Sequence, residues 1–102
     1  MNFRVLSVAD GESIAAALWY EDRQPGLADK FLAELHLALE SIRGNPHGLP
    51  LLECYSGTHE VRRCLMHRFP FAVICVCRPE EIVVVAVAHT RRRPLYWLDR
   101  LG

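Results

Sequence analysis

Apolar and polar positions alternate along this chain with two different periods, and the change from one to the other divides it. Phe3–Leu6 alternates around Arg4 and predicts a short strand. From Glu12 to Asp22 the apolar residues Ile14, Ala15, Leu18 and Trp19 recur at helical spacing, with Glu12, Glu21 and Asp22 on the polar surface. Ser7 and Asp10 just before them resemble a capping box. Gln24-Pro25-Gly26 breaks this helix, and a second begins at once. Leu27, Phe31, Leu35, Leu39 and Ile42 form one stripe, Lys30, Glu34 and Arg43 face outward, and Gly44-Asn45-Pro46 supplies the stop. Two helices joined by so short a break are expected to pack as an antiparallel hairpin.

Residues 47–59 carry no period and read as a connection, with His47 and His59 as exposed loop residues. Three apolar runs follow: Val61–His67, Phe71–Cys77 and Ile82–Ala88. Pro70 marks the start of the second run, and Arg78-Pro79-Glu80-Glu81 is a tight reversal into the third. The third run, Ile-Val-Val-Val-Ala-Val-Ala, is dense enough in β-branched residues to predict a central strand buried on both faces. It runs directly into His89-Thr90-Arg91-Arg92-Arg93-Pro94-Leu95-Tyr96-Trp97, so the strand delivers polar chemistry to one edge of a sheet. Pro94 can open a short terminal helix over Leu95–Leu101, folded back on the sheet. The expected fold is α+β, in β-α-α-β-β-β order: a helix hairpin on an antiparallel meander, an N-terminal strand and a short C-terminal helix.

A length of 102 residues with 51% hydrophobic and 24% charged side chains fits a single domain, 1–102, with one core. No apolar run approaches the ~20 residues that span a bilayer, and the N-terminus lacks the pattern of a signal peptide. A cytoplasmic protein without a membrane role is therefore expected. Cys64, Cys75 and Cys77 fall inside predicted strands and Cys54 in the connection, which reads as free thiols rather than disulfides. Cys75 and Cys77 share one face of a strand, with His67 as a third ligand type in the vicinity. Zinc motifs use turn-borne spacings, so no metal site and no cofactor are expected.

Zero net charge hides a division. Residues 1–60 carry 4 basic and 9 acidic side chains, 4 − 9 = −5, and residues 61–102 carry 8 arginines and 3 acids, 8 − 3 = +5. Arginine presents a planar fork for phosphate or carboxylate and stacks on aromatic rings, so a cluster of them fits recognition. Equally, some can pair with the acidic half inside the fold.

The order of elements, and three blocks of residues within it, resemble the RelE/ParE superfamily of bacterial type II toxin–antitoxin modules, in its ParE-like branch. The blocks are Tyr20-Glu21-Asp22 with Pro25 to Phe31, Val61-Arg62-Arg63 with Arg68 to Val73, and Ile82 through Trp97. The resemblance implies a growth-inhibiting toxin neutralised by a small antitoxin, in a hetero-oligomer where the antitoxin lays a helix or an added strand on the toxin. It implies two alternative activities. ParE-like members are described as poisoning DNA gyrase by binding, whereas RelE-like members cut messenger RNA on the ribosome. A third alternative is a non-toxic homologue that still binds an antitoxin. Fold alone does not choose among them.

RNA cleavage requires a base, an acid and cations on the phosphate. The candidates are His89, Arg62 or Arg63, Arg91 and Tyr96. The single lysine and zero net charge disfavour a strongly RNA-binding surface. A binding inhibitor needs instead a rigid surface with arginine and aromatic anchors, for which Arg63, Arg91, Arg92, Arg93, Tyr96 and Trp97 are the candidates. Against both stand structural readings: His89 capping the last strand, and Tyr96 and Trp97 pinning the tail to the sheet. For the antitoxin, Leu18, Trp19, Leu32 and Leu37 are apolar residues beyond what one stripe uses, the alternative being a wider core face.

Overall fold

The computed structural model describes residues 2–102. Strand β1 (Asn2–Val5) leads into helices α1 (Ser7–Arg23) and α2 (Leu27–Gly44). A 3-10 turn at Pro46–Gly48 follows, then strands β2 (Glu60–Leu65), β3 (Phe71–Cys77) and β4 (Glu81–His89), and a last 3-10 turn at Leu98–Arg100. The four strands form one sheet in the order β1-β4-β3-β2. The last three are an antiparallel meander, and β1 joins β4 in parallel. The expected α+β order is the order found. The β4 run is indeed an inner strand buried on both faces, by the helices on one side and by the tail on the other.

The α2 stripe is core as its spacing predicts: Phe31 and Ile42 are fully buried, with Leu35 beside them. Phe31 packs edge-on against Phe69 and Phe71, and Tyr20 closes this aromatic cluster. Between the helices, Gly26 adopts a φ of 89°, a left-handed turn that suits glycine. The Glu21 carboxylate, 3.0 Å from the Gly26 and Ala28 amides, accepts the hydrogen bonds that cap α2.

Helix α1 departs from the expectation. It starts at Ser7, five residues before Glu12, with Leu6 at the cap position and no side-chain cap, so Ser7 lies inside the helix. Its buried face is Ala9, Ser13, Ala16 and Ala17, and Ile14, Leu18 and Trp19 point outward. Small side chains let α1 lie close over β4; the larger apolar row is left outside. Periodicity identifies residues that share a face but not which face turns inward. Glu34 pairs with Arg68 at 3.9 Å, reaching across to the β2–β3 turn.

The tail also differs. Leu95 has a φ of 63°, a left-handed conformation that interrupts any regular helix, so Leu95–Leu101 forms turns and one 3-10 turn rather than an α-helix. Trp97 and Leu101 nonetheless fold back and bury themselves on the sheet face opposite the helices, among Val61, Val76, Val83 and Val85. The cysteines are free thiols, as expected. No helix among the described residues is long and apolar enough to cross a membrane.

Candidate functional site

A register shift between Ile74 and Cys75 leaves Val85 of β4 without a partner on β3, a β-bulge in the strand that leads to the arginines. Strand β1 ends at the same level, with Val5 opposite Val84 and the Leu6 amide donating to the Val84 carbonyl. Beyond that point the outer edge of β4 needs other partners. Glu12 and Arg100 provide them: the Val87 amide donates to Glu12 Oε1 at 3.0 Å, and Arg100 Nη1 donates to the Val85 carbonyl at 2.9 Å.

Glu12 thus becomes the hub of this edge rather than the surface residue its helical position predicts. Its side chain is 13% exposed. It binds Arg100 through both oxygens at 3.0 and 3.2 Å, accepts the Tyr96 hydroxyl at 2.6 Å and meets Arg92 at 3.4 Å. Burial pushes the Glu12 carboxyl up, but the bonds from Arg100, Tyr96 and Val87 outweigh it and hold the pKa below the usual 4.5. Arg92 also stacks over the Tyr96 ring at 3.7 Å. Burial and the Glu12 contact push the Tyr96 phenol up to about 12. Tyr96 is therefore a neutral hydrogen-bond donor, already in use.

The other candidates fall into distinct places. Arg62 is mostly buried; it donates to Glu60 at 2.7 Å and to the Leu49 carbonyl, holding the connection against β2. His89 Nδ1 accepts the Arg91 amide at 3.1 Å and its ring packs edge-on against Phe71, the strand-capping arrangement anticipated for it. Trp97 is only 3% exposed and belongs to the core, so it is not a surface anchor. Arg91 and Arg93 are exposed, and among the described residues their side chains take part in no ion pair.

The sheet's two faces end in two different surfaces. On the tail side, Ala72, Ile74 and Ala88 floor a hollow of about 190 Å³ rimmed by Arg92 and Arg93. Arg63 lies opposite Ile74 in the β2–β3 ladder, which extends the basic rim by one strand. On the helix side, Trp19, Tyr20, Phe71 and His89 line an apolar groove of about 540 Å³. Trp19, which lines it, is 51% exposed, and the helices carry further exposed apolar residues. Leu18 is 65% exposed, Leu37 59% and Leu32 43%, with Leu37 beside a separate small hollow lined by Leu65 and Met66. A wider core face does not account for these residues. His47 is exposed, as expected of a residue in the connection, and also bonds to Glu60.

Comparison with known proteins agrees with this architecture. The family model described as the ParE toxin of the type II toxin–antitoxin system parDE matches residues 3–94. The fold is similar to a solved structure of the chromosomal ParDE toxin–antitoxin system from P. aeruginosa, with a TM-score of 0.75 at 16% identity, over 89% of this chain and 97% of that one. A search of curated protein sequences finds no match.

Proposed function

We propose that this chain, which belongs to the ParE toxin family of type II toxin–antitoxin systems, inhibits growth in the bacterial cytoplasm by binding its target rather than by cutting RNA. The observation that carries this reading is the state of Tyr96. Its hydroxyl is given to Glu12 and its pKa lies near 12, so it is neither a general base nor a free acid at neutral pH. Arg100, beside it, is committed to Glu12, and Arg62, on the far edge strand β2, is committed to Glu60. What stays available is Arg91, Arg93 and the basic rim of the tail-side hollow, a surface for recognition.

The target we favour is DNA gyrase, the ParE-like alternative. We assign the antitoxin to the helix side, over Leu18, Trp19, Leu32 and Leu37; their exposed apolar side chains, and the apolar groove that Trp19 borders, support an amphipathic partner segment there. Target and antitoxin then occupy different faces of one small sheet. Purified chain titrated into a gyrase supercoiling reaction, and in parallel into a translating extract, tests the reading. Loss of supercoiling with intact message is expected. Cleaved message with unaffected supercoiling would instead assign the chain the ribosome-dependent nuclease activity.

A further inference from the structure

The connection between α2 and β2 is fastened at a point that toxin action leaves unused. Glu60 opens β2 and Cys77 closes β3, and the antiparallel register sets them directly opposite each other. His47, in the 3-10 turn just after α2, reaches the same place, with Nδ1 3.0 Å from Glu60 Oε2. One ligand atom from each residue, an imidazole nitrogen, a carboxylate oxygen and a thiol sulfur, all lie within 4.8 Å of one another. Tetrahedral zinc holds such donors at about 2.0–2.3 Å, which places neighbouring donors about 3.3–3.7 Å apart. A contraction on the order of 1 Å converts the cluster into a coordination set.

Two features favour an ion here. The cross-strand pair is held by the sheet itself, so two of the three donors sit on rigid elements. Arg62 and His47 both contact Glu60 through Oε2, and Oε1 takes neither bond. A metal can therefore take Oε1 while Arg62, itself anchored on the Leu49 carbonyl, keeps Oε2 and fixes the carboxylate. His47 leaves its contact with Oε2 to offer the same nitrogen. Cys77 is buried and His47 exposed, so an ion enters from solvent and the sulfur is shielded behind it.

We propose that His47, Glu60 and Cys77 form a zinc site, its fourth position open to water, that clamps the 47–59 connection to the β2–β3 edge. The mixed nitrogen, oxygen and sulfur donors suit Zn²⁺ better than a hard cation such as Mg²⁺. Binding releases the thiol proton, because only the thiolate is a ligand.

Cobalt(II) added to the purified full chain is the direct probe. One equivalent should produce a thiolate-to-cobalt charge-transfer band with the visible bands of a tetrahedral ion, and zinc should abolish both and raise the melting temperature. His47→Ala changes an exposed side chain and leaves the fold intact; it and Cys77→Ala should each weaken zinc binding by at least about tenfold, the loss that outer partners alone cause. Cys54→Ala should change nothing. Absence of the band and of any zinc-dependent melting shift in the unmodified chain overturns the site. So does a band that survives His47→Ala, or one that Cys54→Ala removes.

Discussion

Glu12 is one acid among many in the sequence, and nothing in its spacing marks it out. Its importance comes from three elements that meet only in the folded chain: the early end of β1, the bulge at Val85 and the return of Arg100. Removing one partner of a buried, hydrogen-bonded ion pair leaves the other uncompensated, so Glu12→Ala should cost about 3 kcal/mol in urea unfolding. The pH dependence follows from its direction of shift. A carboxyl whose folded pKa lies below its unfolded value of 4.5 adds stability above that value and loses it as pH falls through the folded one. The stability gap between the unmodified chain and Glu12→Gln should therefore narrow as pH drops below about 4.5, and a gap constant from neutrality down to pH ~3 contradicts the assignment. Tyr96→Phe removes one hydrogen bond from the same hub and should cost about 1 kcal/mol while leaving toxicity intact.

At the scale of elements, the sequence specified α2, the meander and the central strand well, because in each the apolar spacing and the burial agree. It failed on α1, where there are two apolar rows. The small row, Ala9, Ala16 and Ala17, turns inward because a helix this close to β4 has no room for larger side chains. The large row, Ile14, Leu18 and Trp19, is left in solvent, and that misreading is informative, since exposed tryptophan and leucine on a helix mark an interaction surface. Leu18→Glu combined with Trp19→Ala should leave folding stability within about 1 kcal/mol, since both positions lie outside the core. Antitoxin affinity, read by calorimetry, should fall by at least about tenfold. Unchanged affinity places the antitoxin elsewhere. Phe31→Ala, by contrast, opens the aromatic cluster and should cost about 3–5 kcal/mol.

For the molecule as a whole, the division into acidic and basic parts is partly internal. Arg92 and Arg100 answer Glu12, Arg62 answers Glu60 and Arg68 answers Glu34. That pairing subtracts from the apparent basic surface and leaves Arg91 and Arg93 exposed, with Arg63 on the same sheet face as the basic hollow. The order of elements was legible from hydrophobic period alone, and the arginine-bearing edge from the abrupt end of the Ile82–Ala88 run. That Trp97 pins the tail to the sheet is one of the two readings its sequence position offers, and its burial decides between them. Which arginines remain free depends on how the tail returns across the sheet; Leu95 in a left-handed conformation lies on that path, and no local pattern announces it. A double substitution, Arg91→Ala with Arg93→Ala, should abolish growth inhibition without moving the melting temperature.

The most direct measurement is expression of the chain without its antitoxin, with message integrity and the DNA damage response followed in the same cells. Intact messages with a rising damage response and altered supercoiling are predicted, and Tyr96→Phe should behave the same way. Rapid translation arrest with cleaved messages, abolished by Tyr96→Phe, would contradict the account.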